Sequence, residues 1–219
     1  MMRHHAVTAI LMAATFFSPA TILPAVWAEA PEGFAPLFNG KDLTGWVGDT
    51  KGYAAENGML VCNKGGRLFT EKEYSNFVLR FDFKLPPGGN NGLGIRSPLE
   101  GESAFAAMEI QILDDTAEKY KDLHDYQFHG SIYGVVPAKR GALKPVGEWN
   151  SQEVAAEGKH IKVTLNGTVI VDADLEEAAA RGPMDGRNHE GLLRETGHIG
   201  FLGHGDRIEF RNIFIKELD

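Results

Sequence analysis

The run from Asn76 to Leu85 constrains the chain most. Phe77, Leu79, Phe81, Phe83 and Leu85 alternate with Val78, Arg80, Asp82 and Lys84. Successive side chains on a strand point to opposite faces, so this segment has one apolar face and one largely charged face. Such a strand belongs to an antiparallel sheet whose apolar side is covered by a second layer. Further short strands are predicted at 59–62, 67–70, 93–96, 107–113, 131–136, 149–156, 160–165, 168–171, 198–202 and 207–217. Asn166-Gly167 is a two-residue type I′ hairpin signal between two of them. Leu175 to Arg181, rich in alanine and glutamate, predicts a short helix, 115–125 has room for one helical turn, and Gly101 to Phe105 reads as loop. About ten strands with Gly-rich turns predict an all-β sandwich or jelly roll with one or two short helices.

Residues 1–28 stand apart. Arg3 precedes an apolar run from Ala6 to Phe17, and Val26 and Ala28 occupy the −3 and −1 positions of a cleavage site before Glu29. This is the form of a secretory signal peptide. The alternative, an uncleaved anchor, is disfavoured because the run is short and Pro19 and Pro24 interrupt its continuation. The expectation is a periplasmic or secreted protein with one domain over 29–219. The leader holds one basic residue and no acid, so the net charge of −8 becomes −9 on its removal. An acidic chain without a basic run is a poor binder of nucleic acid or of anionic membranes. The one cysteine, Cys62, lies in the apolar run Met59-Leu60-Val61-Cys62 and reads as a buried, inert thiol.

Chemistry centres on Met108-Glu109-Ile110-Gln111-Ile112-Leu113-Asp114. Met108, Ile110 and Ile112 point into the core in this reading, and Glu109 and Gln111 point out. A bulge would bring Asp114 to the same side. The plain alternative is a half-solvated strand with ordinary polar residues outside. Glu109 is the first candidate for general acid or base. A metal or calcium ligand is its second reading and a surface residue its third. Gln111 suits hydrogen bonds to a polar substrate. Asp114 is a second acid/base group or the cap of the following turn. His204, between two glycines in a connecting loop, ranks below Glu109 as a proton carrier, because an imidazole suits that task but loop histidines are more often bystanders. Glu148 and Trp149 open a strand, and Trp149 and Tyr133 each read as a flat stacking platform for a ligand or, more commonly, as core rings. No cofactor is implied. A divalent metal is compatible with the carboxylates, but His124, His129 and His189 are scattered and define no metal site.

In order along the chain, Pro36-Leu37-Phe38-Asn39-Gly40-Lys41-Asp42-Leu43 with Gly45-Trp46, then 108–114, Tyr133-Gly134-Val135-Val136-Pro137, Lys144-Pro145 with Gly147-Glu148-Trp149-Asn150, Leu165-Asn166-Gly167, and Gly197-His198-Ile199-Gly200 through Gly203-His204-Gly205 resemble the 3-keto-disaccharide hydrolase family. The resemblance spans Phe34 to Leu218. It implies a concanavalin-A-like jelly roll, similar in fold to laminarinase-type glycosidases, whose middle carboxylate is replaced here by Gln111. It also implies a carbohydrate substrate carrying a 3-keto group, cleaved by acid/base elimination and hydration. Arg96 and Lys144 are then the cations expected at an enolate oxygen, although Arg96 also reads as the partner of an acid and Lys144 as a solvated loop lysine. A non-catalytic sugar-binding module and a glycosidase for unoxidised glucans are the rival functions.

Overall fold

The structure, a computed structural model, describes residues 29–219. The leader expected over 1–28 lies outside the described residues. Thirteen strands and two short helices follow in order. They are β1 (Ala35–Pro36), β2 (Trp46–Gly48), β3 (Tyr53–Glu56), β4 (Met59–Cys62), β5 (Arg67–Tyr74), β6 (Phe77–Lys84) and β7 (Asn90–Ser97), then α1 (Ser103–Ala106) and β8 (Met108–Leu113). After a long excursion come β9 (Trp149–Glu157), β10 (His160–Leu165), β11 (Thr168–Asp174), α2 (Leu175–Arg181), β12 (Gly197–Leu202) and β13 (Ile208–Glu217).

The strands form two antiparallel sheets, which makes the molecule an all-β jelly-roll sandwich. One sheet runs β11-β10-β9-β6-β13-β4-β3, with β1 also paired to β13. The other runs β2-β5-β12-β7-β8. Chain neighbours are often not sheet neighbours: β6 lies between β9 and β13, and β12 between β5 and β7. The alternation of β6 is realised, with Phe77, Leu79, Phe81 and Phe83 buried and Arg80 exposed. Phe201 of β12 stacks on Phe210 of β13 at 3.9 Å and meets Phe81 edge-on at 5.7 Å, so aromatic rings join the two layers. Each such ring contributes about 1.5–3 kcal/mol through burial. Asn166 and Gly167 have φ of 50° and 83°, as a type I′ turn requires. Cys62 is fully buried, and burial pushes its thiol pKa up.

Three local expectations are corrected. Residues 131–136 form no strand. They turn back on themselves at Gly134, φ 77°, and the N–H groups of Val135 and Val136 both donate to the Ile132 carbonyl. β7 begins at Asn90 rather than at 93, because Asn90, Asn91 and Gly92 already pair with Leu113, Ile112 and Gln111. The stretch read as loop before β8 contains α1.

Candidate active site

On β8 the polar side is less wet than the alternation suggests. All six residues are buried, with Glu109 8% and Gln111 6% exposed. The cause is cover from both flanks. The turn at 130–133 pairs with the open edge of β8: the Gln111 N–H donates to the Ser131 carbonyl at 3.0 Å, and the Tyr133 N–H donates to the Glu109 carbonyl at 2.9 Å. On the other flank α1 and its approach fold over the sheet, and the Arg67 guanidinium donates to the Gly101 carbonyl.

Beneath Glu109 the floor is made of glycine. Gly94 pairs with Glu109 on one side and with Gly200 on the other, and Gly92 pairs with Gln111. A Cβ on Gly92 would lie 2.0 Å from Glu109 Oε1, so the absence of a side chain there lets the carboxylate lean across β7. It leans toward His204, whose Nε2 lies 4.0 Å from Oε1. The two are an ion pair at that distance rather than a direct hydrogen bond. The Glu109 carboxylate is the main influence raising the His204 pKa above its ordinary value. Partial burial opposes it, and the charges of Asp206 and Glu102 add to it. Arg67, Glu102, Ser103, Glu109, Leu202 and His204 line one cleft of about 240 Å³.

Firm attachments hold the His204 loop. The Gly203 N–H donates to the Gly66 carbonyl at 2.7 Å, and Asp206 accepts the Asn90 N–H at 3.0 Å. Any Cβ on Gly203 would strike the Gly65 carbonyl oxygen at 2.0 Å, so backbone fits against backbone there.

The other predicted residues are dispersed. Tyr133 lies across the sheet edge from Glu109, edge-on to Tyr126 at 6.3 Å, and its hydroxyl accepts from Gln127. Asp114 is occupied with its own turn: one oxygen takes the Gly88 N–H at 2.7 Å and the other takes the Thr116 hydroxyl at 2.6 Å. Arg96 is away from the cleft. The pairing of β7 with β12 slips between His198 and Gly200, Arg96 has φ 50°, and its fully buried guanidinium donates to the carbonyls of Ser75, Gly158 and Arg194. Among the described residues no carboxylate is bonded to it, contrary to the acid-pair reading. Trp149 opens β9 of the opposite sheet, and Lys144 and Glu148 lie in the loop that leads into it. Lys144 Nζ donates to the Trp149 carbonyl, and the Trp149 ring lies under Arg211 at 4.0 Å with Lys84 at 5.0 Å. Among the described residues no group of three or more His, Cys, Asp or Glu is placed to hold a metal ion. No helix among them is long and apolar enough to cross a membrane.

Sequence reasoning missed Arg67, Glu102 and Gly92. Arg67 follows two glycines at a strand start and carries no motif. Gly92 is hidden in a loop-like Gly-Gly-Asn-Asn-Gly run, and its role is visible only from the register of β7 against β8.

Residues 33–216 match the family described as 3-keto-alpha-glucoside-1,2-lyase-like domain. The 3-keto-disaccharide hydrolase of Bacteroides thetaiotaomicron is 26% identical over 238 residues, covering 86% of this chain and 79% of that protein. A solved structure of a candidate glycosyl hydrolase from Parabacteroides distasonis is 32% identical with a TM-score of 0.74, covering 84% of this chain and 99% of that one. A family GH16 endo-β-1,3(4)-glucanase, 12% identical with a TM-score of 0.50 over 88% of this chain and 95% of its own, shares the fold alone. The family match takes in nearly all the described residues, and the chain belongs to the 3-keto-alpha-glucoside-1,2-lyase-like domain family.

Proposed function

We propose that this chain is an exported enzyme that cleaves the glycosidic bond of 3-keto-glycosides by elimination followed by hydration. The observation that carries the reading is the pairing of a nearly buried carboxylate with a half-exposed imidazole, 4.0 Å apart over a glycine floor in one cleft. Family membership and the named 3-keto-disaccharide hydrolase relative support the substrate class. The secretory form of residues 1–28 supports export to the periplasm or beyond.

A ketone at C3 acidifies the hydrogen on C2. Glu109 takes that proton, and the C2–H electrons form an enolate with its charge on the C3 oxygen. The enolate collapses to a C1–C2 double bond as the C1–O1 bond breaks, and His204 gives its proton to the departing O1. Water then adds to C1, returning a proton to His204, while the proton on Glu109 goes back to C2. The sum is hydrolysis. The imidazole pKa, raised chiefly by Glu109, suits a donor that is cationic near neutrality. A retaining glycosidase needs two free carboxylates about 5–5.5 Å apart. Asp114, the partner expected from spacing, has both oxygens engaged in its turn, which favours elimination over a covalent glycosyl ester.

Incubation of the purified protein with a 3-keto-disaccharide tests the reading. Release of the aglycone sugar is expected, and Glu109→Gln should lower kcat by roughly 10³-fold. No release with or without divalent metal would sink it. Hydrolysis of plain β-glucan would then favour an ordinary glycosidase, and binding without turnover would favour a lectin-like module.

A further inference from the structure

Elimination through an enolate needs a third group beside base and acid, a cation or donor aimed at the C3 oxygen as charge develops there. The two cations expected from the sequence are elsewhere: Arg96 is bound to carbonyls at a bulge, and Lys144 lies in the loop leading into β9 of the opposite sheet, bonded to the Trp149 carbonyl. We infer that Arg67, a cleft-lining arginine with no carboxylate within ion-pairing distance among the described residues, is the catalytic residue that holds the C3 oxygen of the 3-keto-sugar and its enolate. The inference rests on the function proposed above.

The sheet register carries it. Arg67 pairs with Leu202 across β5 and β12, so both side chains leave the same face of the sheet. That face holds the Glu109 carboxylate above Gly92, on the strand beyond β12. Two strand spacings separate β5 from β7, roughly 10 Å, and an arginine side chain reaching inward narrows this to the width of one sugar ring. His204 stands at the loop end of the same cleft. A 3-keto-pyranose presents O1, the C2 hydrogen and the C3 oxygen on three successive carbons. The cleft offers His204, Glu109 and Arg67 around one ring-sized space, one group for each. The Arg67 guanidinium has five N–H donors, and its bond to the Gly101 carbonyl fixes one end of the fork. The remaining donors suit an enolate oxygen.

The test uses the full mature chain with the 3-keto-glucoside of p-nitrophenol, unlabelled and deuterated at C2. Arg67→Met should lower kcat by about 10²-fold, enlarge the C2 isotope effect and leave Tm within a few degrees. Arg67→Lys, which keeps the charge and loses the fork, should lie between and carries the measurement if the methionine variant does not fold. An Arg67→Met enzyme with kcat within threefold of wild type, or with a raised KM and an unchanged isotope effect, overturns the inference while leaving the function proposed above intact. Failure of the wild-type protein to cleave the keto-glycoside removes that function itself, and full activity of Glu109→Gln overturns the inference by removing the base around which Arg67 is placed.

Discussion

Gly92 acts by what it lacks. Its Cβ would collide with Oε1, Cδ and Cγ of Glu109, at 2.0, 2.7 and 2.9 Å. These atoms are the free end of a flexible chain, so a methyl group would push the carboxylate aside without disturbing the backbone. Gly92→Ala should therefore keep the wild-type Tm within about 2–3 °C, since only a side-chain tip moves. It should lose at least about tenfold in kcat, because a displaced base is a weak one. An unchanged kcat would mean that the present carboxylate position is not the working one. The imidazole of His204 gives a second prediction. Its pKa lies above the ordinary value, mainly through Glu109, and in the proposed elimination the protonated form is the donor. The rate should fall as pH rises through that pKa, and in Glu109→Gln the residual activity should fall at lower pH. A pH–rate profile of both proteins checks it. For folding the sign is the same: a raised imidazole pKa adds stability that is fully present below the unfolded value and lost as pH rises through the folded one.

At the scale of elements, the bulge at Arg96 fastens the end of β7 to three other segments. Its guanidinium serves the carbonyls of Ser75, Gly158 and Arg194 and the side-chain oxygen of Asn76, which itself caps the Gly158 N–H. Removing it would strand buried acceptors, and each bond to a charged donor contributes about 1.5–3 kcal/mol. Arg96→Ala should lower stability by about 3 kcal/mol or more, readable as a fall in denaturation midpoint, with kcat of the folded fraction little changed. Arg96→Lys should recover little, since an ammonium cannot span the fork. Arg96 also marks where sequence reading stops. β6 and the Asn166-Gly167 hairpin are legible because their signals are local: strict alternation, and two residues able to adopt positive φ. The 131–136 segment defeats the same reading, because Ile132 and Val135 are buried by a turn that imitates the composition of a strand. Arg96 follows the alternation of β7 in sequence, yet one register slip turns it from the cleft into the protein. Glu109 could be read from its strand. Its companions Arg67 and Gly92 could not, since their proximity depends on which strands become neighbours.

For the molecule as a whole, the two sheets meet on an apolar interior that holds a buried imidazole. His129 is buried against Phe83 at 5.1 Å. Its Nδ1 accepts the Leu113 N–H of one sheet at 3.2 Å, and its Nε2 meets Gln152 Oε1 of the other at 3.0 Å. The amide oxygen only accepts, so Nε2 carries the proton and the ring is neutral. Burial pushes its pKa down to about 4 from 6.5. The unfolded chain binds this proton below about pH 6.5 while the folded chain refuses it until about pH 4. Stability is therefore complete above the unfolded value, declines as pH falls through the window between the two, and levels off below the folded one. The shift corresponds to about 3 kcal/mol. In a sandwich whose layers are bridged by this ring, the loss falls on the cooperative unfolding of both sheets. Urea denaturation at pH 7 and pH 4.5 should show the wild type losing more stability than His129→Gln, although the variant is the less stable of the two at pH 7. Equal losses would mean that the ring is protonated without opening the interface, and that other groups set the acid sensitivity.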